Sequence, residues 1–393
     1  MMRLPVLSLV LVVFGLTTGE FVIAGILPEV ADALAVPVSS AGLLVTAYAL
    51  GMIVGGPVLT ALTARVPRRR LIAGLVGFAV LANLGSALAP NQPVLLVTRF
   101  AAGLIVATFF ALAIATAVRL APEGKAASAV ARVALGLNLG MVLGTPLGTV
   151  VGQYLGWRAT FAAVAVVSAV GLALVLRFVT DLPPAATGPI IGELRVLADR
   201  RLLAAIALTA VGNLGAVMVF TYIAPLLTDV AGFATAAVPA LLLLYGAGAI
   251  VGNQLGGRLA DRALLPAVTG LLAASAGALA LFWVALGNRP ATGVLVFVLG
   301  ALAFAVIPGM QARVIGAATG APTLALAINA AAYQLAAALA GRLGGWIADG
   351  TGMRSLPLFA AVPTAAAVAF ALVLSRTEAT RRRGIETSSA TTS

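Results

Sequence analysis

The chain has 393 residues, of which 62% are hydrophobic and only 9% are charged, whereas soluble domains carry about 25% charged residues. So few charges cannot cover a folded chain of this length in water, which excludes a soluble globular protein. The sequence contains neither cysteine nor histidine, which excludes disulfides and thiolate metal sites and leaves proton transfer near neutral pH to carboxylates.

Apolar segments recur along the whole chain, and each is long enough to cross a bilayer as a helix of about 20 residues. The even number of these segments returns the chain to the side on which it begins. The sequence therefore predicts an all-α polytopic membrane protein with twelve transmembrane helices, near residues 5–28, 40–64, 71–89, 94–118, 129–152, 158–180, 201–228, 236–259, 264–286, 292–316, 322–347 and 355–375.

The two halves of the sequence match when the second is laid over the first. Tyr48 and Arg65 then align with Tyr245 and Arg262, without a gap. A duplicated half in a membrane protein predicts two pseudo-symmetric bundles of six helices, an architecture that usually transports a solute by rocking around a shared cavity. The predicted units are an N-terminal bundle at 1–180, a cytoplasmic linker at 181–200, a C-terminal bundle at 201–375 and a disordered cytoplasmic tail at 376–393.

The net charge of +12 reflects topology. With the N-terminus inside, only Arg158, Arg289, Arg342 and Arg354 fall toward the outside, and Arg99 lies within a span; the other basic residues are on the inner side. This asymmetry is the positive-inside rule. It predicts cytoplasmic N- and C-termini, with the lipid bilayer as the chain's surroundings and no nucleic acid as a partner.

Glu20 is the acidic residue that lies deep within a predicted span. An ionised carboxylate there costs several kcal/mol unless it is paired or faces water. Arg99 lies at a matching depth in the fourth span and is the candidate partner. One hypothesis makes Glu20 the proton acceptor of a transport cycle, with Arg99 tuning it; the alternative is a static ion pair that joins the first and fourth helices.

Glycine recurs at every fourth position of the fifth span. Such a stripe lets another helix backbone approach closely and slide or pivot, although physical reasoning alone favours simple tight packing. Shorter glycine stripes in the eighth and eleventh spans suggest symmetrical gates between the bundles. The residues of the main stripe are Gly136, Gly140, Gly144, Gly148 and Gly152, with Pro146 among them.

Charged residues follow the second and eighth spans at equivalent positions of the two halves. Arg65, Asp261 and Arg262 are candidate latch residues at the inner ends of the helices, where they can cap carbonyls or pair with the other bundle. Ordinary positive-inside anchoring is the alternative for the arginines. Asp261 is the stronger candidate because topology does not require an acid there.

In a two-bundle transporter the first, fourth, seventh and tenth helices line the cavity. An apolar, adaptable wall is predicted there, although core packing is the alternative for each residue. Other polar residues within spans, including Tyr48, Tyr245, Tyr333 and Gln334, can instead join helices by hydrogen bonds worth about 0.6–2 kcal/mol each. The candidate substrate-binding residues are Phe21, Phe109, Asn138, Asn213, Met218 and Phe220.

Three segments resemble a known family: TTGEFVIAGILPEVA (17–31), TRFAAG (98–103) and the glycine stripe running into GWRATF (156–161). They resemble the twelve-helix drug:proton antiporters of the major facilitator superfamily, especially bacterial exporters of chloramphenicol and of arabinose-type sugars. The resemblance implies that Glu20 and Arg99 belong to the proton-coupling region. It also implies that the stripe is the antiporter signature and that Asp261 and Arg262 belong to an inner gate.

The sequence predicts a monomeric transporter of the bacterial inner membrane that exports a small, partly apolar compound in exchange for protons. No nucleotide-binding loop of the Walker type is present, and neither a cofactor nor a metal nor an enzymatic activity is expected. Export of sugars or of an endogenous metabolite is the main alternative. A uniporter and a non-transporting receptor or scaffold are further alternatives, of which the scaffold explains the gate-like elements in both halves poorly.

Overall fold

The structure, a computed structural model, describes residues 4–63, 66–122, 125–179, 199–318 and 322–390. Within these ranges, twelve helices are long and apolar enough to cross a membrane, which confirms the predicted number. We name them in chain order: α1 Leu4–Ala24, α2 Val38–Thr60, α3 Arg68–Ala87, α4 Gln92–Arg119, α5 Ser128–Leu155, α6 Trp157–Phe178, α7 Arg200–Thr221, α8 Thr235–Arg262, α9 Leu264–Ala285, α10 Arg289–Ala317, α11 Leu324–Thr351 and α12 Met353–Ser375.

Two chain segments differ from the prediction. The first helix ends at Ala24, and a separate short helix, Leu27–Ala33, follows with a proline in its first turn. Pro28 lacks the amide hydrogen that a continuous helix needs, so a new helix starts there instead. At the other end the last helix runs on to Ala390, where a disordered tail was predicted from residue 376; no proline interrupts this segment, so helical hydrogen bonding continues.

Two membrane helices are irregular near their centres. In α4 the regular helix stops at Leu104 and resumes at Val106. In α5 the residues Gly140–Gly144 form one turn of π-helix immediately before Pro146. A proline cannot donate the backbone hydrogen bond of a regular helix, and a π-turn is a common way to absorb this loss.

The terminal side of the molecule is where α1 begins and α2 ends, and the distal side is where α1 ends and α2 begins. Helices α1–α6 form an N-terminal bundle and α7–α12 form a C-terminal bundle. The bundles meet mainly through α2 against α11 and α5 against α8. These two contacts are equivalent under the internal repeat, so the interface has the pseudo-symmetry that the sequence predicts.

The buried cores show that the bundles touch on the distal side and near the middle of the helices, where Ala49 packs against Ala337 and Ala338. One apolar cluster on the distal side contains residues of both bundles, among them Ile23 and Phe161 of the first and Tyr222 and Phe282 of the second. Toward the terminal side the described residues form separate cores, one confined to the N-terminal bundle and two to the C-terminal bundle. The structure is therefore closed on the distal side and open on the terminal side.

The α2 face that meets α11 shows the same division along a single helix. Gly42 and Ala49 are buried, while Pro57 and Thr60, farther along toward the terminal side, are exposed. The hydroxyl of Thr46, between the buried pair, donates a hydrogen bond of 2.7 Å to the carbonyl of Ala338 in α11. A cleft between the bundles thus begins near the middle of α2 and widens toward the terminal side.

Candidate functional site

Glu20 lies in the last turn of α1, at the inner end of the cleft, and is partly exposed. It borders a cavity of about 30 Å³ between the two bundles. One water needs about 10–15 Å³, so this cavity holds about two waters and no drug-sized ligand. Its walls are formed by Glu20, Phe21, Ala24, Val45, Tyr48, Ala49, Val217, Phe220, Thr221, Tyr333, Gln334 and Ala337.

A hydrogen bond joins Glu20 to the opposite bundle. The side-chain amide nitrogen of Gln334, in α11, donates to the carboxylate Oε1 of Glu20 at 3.0 Å. A hydrogen bond that involves an ionised carboxylate is roughly twice as strong as one between neutral groups. The bond therefore ties α1 to α11 most firmly when Glu20 is ionised.

Arg99 is completely buried in α4, and none of its three guanidinium nitrogens has a hydrogen-bond partner among the described residues. Its guanidinium carbon lies 4.3 Å from the centroid of the Tyr48 ring and 5.4 Å from that of Phe161. The static ion pair with Glu20, which was the alternative to a proton-accepting role, is therefore not formed in this structure. Arg99 acts on Glu20 through its electric field, while two aromatic faces stabilise its charge.

A second cavity, of about 20 Å³, shares wall residues with the first. Phe21 and Phe220 border both cavities and meet edge to face across the bundle interface, with ring centroids 5.9 Å apart. Tyr245 packs on Phe220 at 4.9 Å. Asn213 borders this cavity and donates its amide to the carbonyl of Thr209 at 2.8 Å. The walls are thus aromatic and apolar, with few polar groups.

Three of the predicted substrate-binding residues, Phe21, Asn213 and Phe220, therefore border the cavities, and the other three do not. Phe109 is fully buried inside the N-terminal bundle. Met218 is buried in the distal core and packs beside Gly344 of α11. Both were predicted as cavity walls because they lie on cavity-lining helices, but their side chains point into the helix packing.

Asn138 is exposed on α5. It lies one helical turn from Val142, which packs against Gly246 of α8 at the bundle interface. Residues four apart share a helix face, so Asn138 is on the interface side of α5, where the cleft has opened. It borders the entrance to the site rather than the described cavities.

The glycine stripe of α5 packs against α1 within its own bundle. A methyl group added to Gly136 or Gly140 would lie 2.6 Å or 2.7 Å from the carbonyl oxygens of Val10 and Phe14. Gly144 and Gly148 likewise meet Thr18 and Val22. The close helix approach that the spacing predicts is present, but its partner is not the other bundle.

The glycine stripes of α8 and α11, which were also predicted as gates, pack against different partners. Gly248 and Gly252 of α8 pack on α10 in the same bundle, whereas Gly341 and Gly345 of α11 meet Gly42 and Ser39 of α2 across the interface. Only the α11 stripe therefore lies at the bundle interface as predicted, and there it closes the distal side.

The predicted latch residues do not form a latch in this structure. Asp261 and Arg262 are exposed at the terminal end of α8, and neither makes an ion pair with a described residue. The cores of the two bundles are separate on this side. Arg65 lies outside the described residues, as does the predicted linker up to residue 198.

Sequence reasoning missed Gln334, Tyr245 and Tyr333 as members of the site, although each was noted as a polar residue within a span. Their polarity at membrane depth was the available signal. The rotation of α8 and α11 about their axes decides which of them faces the cavity, and a nearly uniform apolar sequence does not encode that rotation clearly.

Two six-helix bundles around a central cavity are an architecture typical of membrane transporters. The sequence model of the Major Facilitator Superfamily matches residues 9–321. The chain belongs to this family of transporters.

Individual proteins are also similar to this chain over most of its length. The chain is 35% identical over 347 residues to the uncharacterized MFS-type transporter YfhI of Bacillus subtilis, covering 88% of this chain and 87% of the relative. It is 39% identical over 345 residues to the chloramphenicol resistance protein of Streptomyces lividans, covering 86% and 87%. Among solved structures, a bacterial homolog of the human lysosomal transporter Spinster, in an inward-facing and unoccupied conformation, shares the fold with a TM-score of 0.78 at 16% identity, covering 95% and 96%.

Proposed function

We propose that this protein exports small, partly apolar compounds such as chloramphenicol in exchange for protons, and acts as a transporter rather than as an enzyme. The observation that carries the proposal is the place of Glu20. It is the only acidic residue among the described residues that border the two cavities, and it bonds to the other bundle at the inner end of the cleft.

The proposed orientation follows the positive-inside rule. The terminal side carries most of the basic residues, so it faces the cytoplasm of a bacterial cell and both termini are cytoplasmic. The open cleft then faces inward. The protein is a monomer in the inner membrane, because each chain contains both bundles and its own cavity.

In the proposed cycle, Glu20 carries a proton in one state and interacts with cargo in the other, when it is ionised. With the cleft open inward, Glu20 releases its proton to the cytoplasm and cargo enters between the bundles. Cargo beside Glu20 displaces its bond to Gln334, the bundles then rock, the distal side opens, cargo leaves and a proton from outside binds Glu20. One charge crossing 100 mV supplies about 2.3 kcal/mol, which is enough to drive uphill export several tens of fold.

The cargo class is supported by the cavity walls and by one relative. Phe21, Phe220 and Tyr245 present aromatic surface beside a few polar groups, which suits a partly apolar solute. The relative from Streptomyces lividans that is 39% identical is a chloramphenicol resistance protein. Export of sugars or of an endogenous metabolite by the same fold is the second candidate, because Glu20, Gln334 and Asn213 offer hydrogen bonds to hydroxyl groups.

The test is growth of a pump-deficient bacterial host that expresses wild type or Glu20→Gln in the presence of chloramphenicol and lipophilic cations. We expect wild type to protect and Glu20→Gln to lose protection at equal expression. Asp32→Asn is the matched control, because Asp32 is an exposed carboxylate on the short helix outside both cavities. Protection that survives Glu20→Gln overturns the proton-coupling role and favours a uniporter. The absence of any protection by wild type favours export of an endogenous metabolite.

A further inference from the structure

Gln334 joins the two bundles near the inner end of the cleft. It shares one face of α11 with Gly341 and Gly345, because the three are separated by whole helical turns. Gly345 and Gly341 meet α2 on the distal side, and Gln334, nearer the terminal side, meets Glu20 of α1 at 3.0 Å. Opening the distal side would lift this whole face of α11 from the N-terminal bundle, and the bond to Glu20 would break with it.

Resting on the proposed function, we propose that Gln334 is the positioning residue that links ionisation of Glu20 to the closure of the distal side. With Glu20 ionised, the amide of Gln334 makes a charge-assisted bond that favours the arrangement seen here. With Glu20 protonated, only a neutral bond of roughly half the strength remains. Protonation thus weakens the contact that holds α11 to α1 and favours opening of the distal side.

The surroundings of Glu20 leave it as the group that responds to pH. Arg99 from α4, Tyr48 from α2 and Tyr333 from α11 interact with it electrostatically. Arginine and tyrosine ordinarily keep one charge state from acidic to mildly alkaline pH. A pH-dependent change in the arrangement of the bundles that is lost in Glu20→Gln therefore reports on Glu20, and Gln334 is the residue that carries the change across the interface.

The chain offers a second bond between the bundles as a control. The amide of Gln153, in α5, donates to the carbonyl of Thr235 in α8 at 2.9 Å on the distal side. This bond also holds the distal side closed, but neither partner titrates. Loss of the Gln153 bond weakens closure equally at every pH, whereas loss of the Gln334 bond removes the dependence on pH.

The absence of cysteine allows spin labels at chosen positions of the full chain. Leu62 and Leu259 are exposed on the terminal side of the two bundles, so a label pair at Leu62→Cys and Leu259→Cys measures the opening of the cleft. The protein would be reconstituted in lipid nanodiscs and the label distance recorded from acidic to alkaline pH. We expect the ratio of long to short distances to change about tenfold on titration in the parent, as for a charge-assisted bond.

In Gln334→Leu and Gln334→Met we expect this change in the distance ratio to fall below about twofold. In Gln153→Leu we expect the change to persist, although the ratio itself differs from that of the parent at every pH. A full response in both Gln334 variants, with the response lost in Glu20→Gln, overturns the role of Gln334 and leaves Glu20 as the proton site. A full response in Glu20→Gln, or none in the parent, overturns both proposals. Transport into proteoliposomes should likewise lose its dependence on pH in the two Gln334 variants.

Discussion

The guanidinium carbon of Arg99 lies 4.3 Å from the centroid of the Tyr48 ring, so the tyrosine that borders the Glu20 cavity also covers a buried cation. Arg99 and Glu20 form no ion pair, and Tyr48 contacts the cation while it borders the cavity of the carboxylate. In a medium of low dielectric the field of a charge is stronger at a given distance than in water. Arg99 can therefore influence Glu20 without holding it, and Glu20 stays free to bond to Gln334 and to exchange its proton.

Replacing Arg99 by methionine should separate stability from function. A buried charge without a hydrogen-bonded partner is costly, so Arg99→Met should leave the free energy of unfolding unchanged or raise it by about 1–3 kcal/mol. Drug protection should fall because the field on Glu20 is lost. Thermal unfolding in detergent measures the effect on stability, and growth protection measures the effect on function. The control is Arg354→Met, because Arg354 is exposed. Full protection by Arg99→Met would remove Arg99 from the coupling region.

Gly42→Ala should disfavour the closed distal side. An added methyl group would lie 2.6 Å from Cζ of Tyr222 in the opposite bundle, too close for the two bundles to keep this contact. We expect the label pair at Leu62→Cys and Leu259→Cys to shift toward shorter distances as the terminal side closes. Gly74→Ala is the matched control because nothing lies within 4 Å of its added methyl group. Identical distance distributions in Gly42→Ala and the parent would contradict the interface described here.

Gly140→Ala should destabilise the N-terminal bundle. Its methyl group would meet the carbonyl oxygen of Phe14 at 2.7 Å, and a backbone atom cannot rotate away. The cost should be about 1–3 kcal/mol of unfolding free energy, seen as a lower thermal transition. At Gly257, where nothing lies within 4 Å, alanine should be neutral or stabilising by up to about 1 kcal/mol. Equal transitions in the two variants would argue against close packing of α5 on α1.

Phe109→Ala and Asn138→Ala should act differently, although both positions were predicted to bind substrate. Phe109 is fully buried in the bundle core, so its truncation should cost about 3–5 kcal/mol. Asn138 is exposed at the cleft, so its truncation should change stability by less than about 0.5 kcal/mol. Any change in the drug profile of Asn138→Ala would then be a direct effect. A stable Phe109→Ala with an altered drug profile would restore the original assignment.

The fold could be predicted because the membrane imposes a length on each apolar segment, and the duplication imposes two bundles. Boundaries were less certain where local chemistry intervenes, as at Pro28, which starts a new helix after α1. Glu20 could be singled out because a carboxylate within an apolar span is costly wherever it lies. The role of Glu20 depends on the residues around it in the fold, and no local sequence pattern contains them.

The partner of Glu20 could not be predicted for that reason. Matched depth pointed to Arg99, but depth fixes neither the rotation of α4 nor the position of the Tyr48 ring. Gln334 is 314 residues away from Glu20 along the chain and reaches it only because the two bundles face each other. The glycine spacing in α5 likewise predicts a close helix neighbour without saying which helix it is.

The cavity beside Glu20, about 30 Å³ in volume, has a consequence for ligand affinity. A drug-sized compound must first widen it, and the apparent dissociation constant rises in inverse proportion to the fraction of molecules in the widened form. Measured affinities will therefore be weaker than the contacts in the bound state warrant. A substitution that merely loosens the wall, such as Phe220→Ala, should tighten the binding of large compounds even though it removes an aromatic contact.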